Sequence, residues 1–130
     1  AARREHQVLT TTRGLEDVAT GGGAAWFLER GRLTRIDERP GAVRAIRARG
    51  LLPIGASHEL AVGDGLLWTV TSDGLQRRSL ETGRVDRTAA VQTADAVAVA
   101  GGAVWVATSS DELYRLDPRT LRVTLRVSLV

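Results

Sequence analysis

Three tryptophans set the frame of this chain. Val18 to Trp26, Leu60 to Trp68 and Val97 to Trp105 are each 8 residues apart, and Leu33 to Val43, Leu75 to Val85 and Leu113 to Val123 are each 10 apart. The spacing between these blocks is 7 residues from Trp26 to Leu33 and from Trp68 to Leu75, and 8 from Trp105 to Leu113. The tryptophans recur after 42 and then 37 residues, so one supersecondary unit is spelled three times. Self-similarity at such a period marks a repeat architecture.

Each unit reads as four short strands. In the second they run Glu59 to Gly63, Leu66 to Thr71, Gly74 to Ser79 and Arg84 to Ala90. Gly21-Gly22-Gly23, Gly63-Asp64-Gly65 and Gly101-Gly102 supply residues that accept positive φ and close the first hairpins. Ser72-Asp73-Gly74 closes the next one. Arg39-Pro40-Gly41 and Glu81-Thr82-Gly83 close the third, where an Asp or Ser at the strand end hydrogen-bonds a turn amide. Leu121 stands where a glycine belongs in the last of these turns, which predicts a different turn type there.

The first strands are apolar on both faces, with Val97 and Val99 on one and Ala98 and Ala100 on the other. A sheet with one wet face would alternate apolar and polar residues. The fourth strands are the polar ones: Arg44, Arg47 and Arg49, then Arg84, Asp86 and Arg87, then Arg122, Thr124 and Arg126. A charged outer edge resists edge-to-edge pairing. Sheets that are greasy on their inner strands and charged outside predict an all-β fold of β-propeller blades, three four-stranded antiparallel meanders. The units are bounded at 14–50, 51–91 and 92–130, with 1–13 as a stub that supplies the outer strand of a preceding blade. Propellers have 4 to 8 blades, so three form a partial ring, or half of an oligomeric one. Either the chain is the remainder of a longer propeller, or two copies join head to tail. The absence of an initiator Met fits a processed chain or a piece of a longer one.

With no Cys, disulfides, thiolate metal sites and cysteine nucleophiles are excluded. No apolar run is long enough for a helical membrane span. All 18 basic residues are Arg, yet the net charge is only +3 and Glu38, Glu81 and Asp86 lie among them. That spread argues against a nucleic-acid surface.

The phrase Val97-Ala98-Val99, Gly102-Ala103-Val104-Trp105-Val106, Leu113-Tyr114-Arg115-Leu116-Asp117-Pro118 resembles the bacterial YVTN-type propeller repeat, over roughly residues 15 to 130. The resemblance implies a blade scaffold of the kind found in sensor portions of bacterial signalling proteins. It also covers a few lyases and oxidoreductases. The second unit departs from the pattern, with Arg78-Ser79 in place of the Ile36-Asp37 pair. The similar virginiamycin B lyase-type enzymes imply a channel His and a divalent ion, but His58 is the one histidine within the repeats and no residue carries over.

Alignment on the tryptophans brings Glu16, His58 and Asp95 into one register, just before the innermost strands, with Asp17 and Glu59 next to them. In a ring these five residues crowd one mouth of the channel. Carboxylates and an imidazole there would bind a ligand, hold a hard cation through oxygen or work as acid and base. A Ser-His nucleophile is excluded at Ser57-His58, because adjacent residues on an extended segment point to opposite faces. Gly21-Gly22-Gly23 lacks the Lys-Ser/Thr of a phosphate loop and reads as a hairpin. The three tryptophans, each beside apolar neighbours, read as blade core rather than stacking platforms. The expectation is a non-enzymatic recognition scaffold without a cofactor, binding a protein or small-molecule ligand. The alternative is a metal-assisted lyase or hydrolase at the channel mouth.

Overall fold

Twelve short strands make up the regular structure of the described residues, and they form three separate four-stranded sheets. The coordinates are a computed structural model, which describes residues 17–21, 23–29, 32–37, 43–47, 60–71 and 74–128. The first sheet comprises β1 (Asp17–Gly21), β2 (Ala24–Glu29), β3 (Arg32–Asp37) and β4 (Val43–Arg47). The second comprises β5 (Leu60–Gly63), β6 (Leu66–Thr71), β7 (Gly74–Ser79) and β8 (Val85–Ala89). The third comprises β9 (Ala94–Ala100), β10 (Ala103–Thr108), β11 (Glu112–Leu116) and β12 (Val123–Ser128). Every sheet is an antiparallel meander in chain order.

The registers repeat as the spacings require. Trp26 pairs with Ala19 and Arg35, Trp68 with Ala61 and Arg77, and Trp105 with Ala98 and Arg115. The sheets stack through their first strands: β1 lies against β5, and β5 against β9. The first strand of each following sheet also lies along the sheet before it, β5 against β2 and β9 against β6 and β7. Each sheet therefore has an incoming face, toward its predecessor, and an outgoing face, toward its successor.

The core fills these junctions. Trp26 and Leu33 pack on Leu60 and Leu67 across the first. Trp68, Val70 and Leu75 pack on Val97, Val104, Val106 and Leu116 across the second. Period-2 alternation sends each strand's two apolar sets to opposite faces, and both are used because each middle face meets another sheet. The outer strands behave oppositely. Residues 85–88 of β8 are exposed, as are residues 123–126 of β12.

The third hairpin turns show one difference from expectation. Leu121 does not change the turn type. Leu121 donates its amide to Asp117 O and Asp117 to Arg122 O, matching Gly83 to Ser79 O and Ser79 to Arg84 O in the second sheet. Leu121 sits at φ +59°, as Gly83 sits at +74°. A leucine there costs about 1–2 kcal/mol of steric strain. It is tolerated because its side chain is 7% exposed and joins the second junction's core. The aspartate's role in that turn also survives the departure at Ser79. Asp117 Oδ1 accepts the amides of Arg119 and Thr120, and Ser79 Oγ accepts those of Glu81 and Thr82. The extra residue of the third unit falls between β10 and β11, where Asp111 takes φ +60°.

Candidate functional site

Two arginines in equivalent positions tie the sheets together. Arg35 reaches out of β3 and donates through Nη1 to the carbonyls of Leu80 (2.7 Å) and Glu81 (3.0 Å) in the third turn of the next sheet. Arg77, in β7, donates through Nη1 to Pro118 O (3.0 Å) and Arg119 O (2.8 Å) in the third turn of the sheet after. A planar guanidinium suits this task, because one fork serves two successive carbonyls while Nε remains for a carboxylate. Nε of Arg35 binds Asp37 at 2.6 Å, and Arg77 grips Asp86 through Nε (2.9 Å) and Nη2 (3.0 Å). The Arg77 contact holds the Asp86 carboxyl below its ordinary value, and the same contact raises the Arg77 guanidinium.

Each clamp forms one wall of an open cleft at the end of the sheets where the first and third hairpin turns meet. The cleft at the first junction, about 480 Å3, is lined by Arg35, Leu66, Leu80, Glu81 and Asp86. The cleft at the second, about 620 Å3, is lined by Asp64, Leu66, Arg77, Gly102, Pro118 and Arg119. Both carry fixed charges of each sign beside apolar carbon, an arrangement that suits a polar or peptidic ligand.

A third arginine is used differently. Arg78 lies on the incoming face of the second sheet, where the third sheet has Leu116 and the first Ile36, and is only 4% exposed. It donates to Thr69 Oγ1 (3.1 Å), Gly83 O (2.8 Å) and Gln76 Oε1 (2.8 Å). Burial lowers its pKa below the usual guanidinium value. Its three bonds are structural and stay within one sheet.

Of the residues singled out from the sequence, the described ones lie at the opposite end of the inner strands. Asp17 opens β1 and Asp95 is the second residue of β9, half-buried. Glu16, His58 and Glu59 lie outside the described residues. Among the described residues no three His, Cys, Asp or Glu side chains converge as metal ligands would. Sequence reasoning missed the clamps. Their signal was an arginine two positions after Leu33, Leu75 and Leu113 in all three units, a repeat that the reading of the fourth-strand arginines passed over.

The arrangement has many counterparts among solved structures. The chain superposes on apo AztD from Citrobacter koseri with TM-score 0.75 and 17% identity, covering 96% of this chain and 38% of that one. BamB from Moraxella catarrhalis gives TM-score 0.66 at 17% identity, over 86% of this chain and 37% of that one. The Neurospora crassa Pan2 WD40 domain gives 0.67 at 14%, over 88% and 36%. The fold is that of β-propeller blades. At these identities the likeness concerns the fold alone, and the chain spans less than two-fifths of the length of these three structures. No protein-family model and no curated protein matches the sequence.

Proposed function

We propose that this chain is a non-enzymatic binding scaffold of YVTN-type blades, the sensor or interaction module of a larger bacterial protein. In this reading the units are bounded at 14–50, 51–91 and 92–130, residues 1–13 are the outer strand of a preceding blade, and the ring is completed either by further blades or by a second copy of the chain. One observation carries it: Arg35 and Arg77 pin the third turns of the following blades, so the clefts beside them are held in shape before any ligand arrives. Pre-organised walls lower the entropic cost of binding. The ligand is a protein segment or a small polar molecule that lies across Asp64, Glu81 and Arg119. The mouth residues Glu16, Asp17, His58, Glu59 and Asp95 form a second recognition element at the other end of the inner strands. Its support is that Asp17 opens β1 and Asp95 lies second in β9, the strands on either side of β5.

The test is selection of the full chain against a random peptide library, followed by calorimetry. Peptides whose affinity falls at least tenfold with Asp64→Ala, Glu81→Ala or Arg119→Ala, and not with the outer-strand change Arg126→Ala, support the cleft reading. Peptides indifferent to all three sink it. Calcium and manganese titrations of wild type and of a Glu16→Ala/His58→Ala/Asp95→Ala variant address the mouth.

A further inference from the structure

The three outgoing faces carry the same triplet: Trp26, Leu33 and Arg35; Trp68, Leu75 and Arg77; Trp105, Leu113 and Arg115. In the first two sheets the Trp and Leu are fully buried, at 0% exposure, beneath the next sheet. In the third both are half-buried, and with Ala96, Ala98 and Ala107 they line an apolar groove of about 320 Å3. Arg115 lies over Trp105, 5.8 Å from the ring centroid, as Arg35 lies over Trp26 at 6.0 Å. Its Nε donates to Thr124 Oγ1, but its terminal nitrogens reach no acceptor among the described residues. In Arg35 and Arg77 a terminal nitrogen carries the clamp to the next sheet.

The incoming side shows the complementary pattern. Leu60 and Val97 are 5% and 4% exposed where β5 and β9 meet their predecessors, whereas Val18, in the same register on β1, is 57% exposed. Phe27 on β2 is already buried, but the internal junctions are made chiefly by the first strand of the incoming sheet, and Val18 and Thr20 on β1 are both exposed.

We propose that the Trp105–Leu113–Arg115 face docks the first sheet of a second copy of this chain. One chain holds both halves of the contact, so a twofold operation makes it twice and closes a ring of six blades, within the range propellers adopt. In the internal junctions a glycine, Gly21 or Gly63, receives a valine, Val62 or Val99, of the next sheet. At the new junction the corresponding residues are Ala100 and Thr20. The methyl of Ala100 holds this seam wider than the internal ones, which makes the association the weakest of the three and reversible. The inference rests on the propeller reading but not on any ligand, so a negative result here leaves the peptide selection to decide binding by itself.

The experiment is sedimentation velocity of the full chain over a concentration series. The expected result is a reversible dimer. Arg115→Ala should raise its dissociation constant about tenfold or more, as loss of a charge-assisted pair of hydrogen bonds does. Ala100→Gly should tighten it and Ala100→Val should weaken it. Ala100 is exposed and at a strand end, so both variants keep the fold, and circular dichroism checks this. A monomer at all concentrations overturns the proposal and assigns the face to another blade. A dimer indifferent to Arg115 and Ala100 overturns it equally.

Discussion

Gly63 and Val99 meet with no space between them. A Cβ placed on Gly63 would come within 2.6 Å of Val99 Cβ. Gly21 stands in the same relation to Val62 at the preceding junction. The inner strands approach this closely because one partner has no side chain, and the close approach seals the apolar junction beneath.

Gly63→Ala should therefore lower stability by about 1–3 kcal/mol, the usual cost of overpacking. Combining it with Val99→Gly should restore part of the loss, because only removal of Val99 Cβ together with its methyls leaves room for the new one. Urea unfolding of the two single variants and the double variant measures the coupling. Additive losses would refute the contact.

The clamp at Arg77 is worth more than its ion pair. Asp86 is 54% exposed on its side chain, so the pair itself contributes about 0–1 kcal/mol. The two bonds to Pro118 and Arg119 carbonyls span the junction, and the one to Pro118 is part-buried. Arg77→Ala should cost about 1–3 kcal/mol, and Arg77→Lys should recover little, since an ammonium cannot serve two carbonyls and a carboxylate in one plane. Asp86→Ala should cost clearly less. Thermal melts of the three variants rank them.

Acid stability follows from the carboxylates. Asp86 is lowered from 3.8 chiefly by the Arg77 hydrogen bond, and Asp117 is lowered from the same value chiefly by the Arg119 amide, then by that of Thr120. A carboxyl whose folded pKa lies below its unfolded one stabilises the fold while ionised, and that contribution fades as pH falls through the folded value. Stability should thus drop below about pH 4, and Asp86→Asn with Asp117→Asn should flatten the decline. Urea midpoints from pH 7 to 2.5 test the slope, and an unchanged slope in the double variant would show that neither carboxylate matters.

At Leu121 the usual order of alanine and glycine should reverse. Leu121→Ala keeps the left-handed backbone strain and loses the buried side chain, while Leu121→Gly loses the side chain and relieves the strain. Both should be less stable than wild type, with the Gly variant above the Ala variant by about 1 kcal/mol. Differential calorimetry decides, and an Ala variant at or above the Gly variant would contradict the conformation.

Arg78 offers a test of what a buried cation contributes. Arg78→Ala leaves Gly83 O without its donor and Gln76 Oε1 with only the long bond from Thr69 Oγ1, and should cost about 1–3 kcal/mol. Arg78→Leu combined with Thr69→Val copies the Leu116 and Val106 pair of the third sheet and should recover part of that loss through apolar burial, while Gly83 O stays without its donor. Chemical denaturation of both variants checks the contrast.

The repeat, the four-strand units and the apolar inner strands were legible in the sequence, because spacing and period-2 alternation are local properties. Trp26, Trp68 and Trp105 marked the units by position alone. What those tryptophans face is a matter of which sheet lies beside them, so identical residues end buried at 0% or half-exposed. The same limit hid the clamps: an arginine on a third strand reads as surface charge until the next sheet brings two carbonyls under it. It also misplaced Leu121, whose strained backbone becomes acceptable only when a neighbouring sheet buries its side chain. Local chemistry determined the strands, and contacts between residues some 40 positions apart decided what each side chain does, because burial and charge pairing depend on neighbours that only the folded chain supplies.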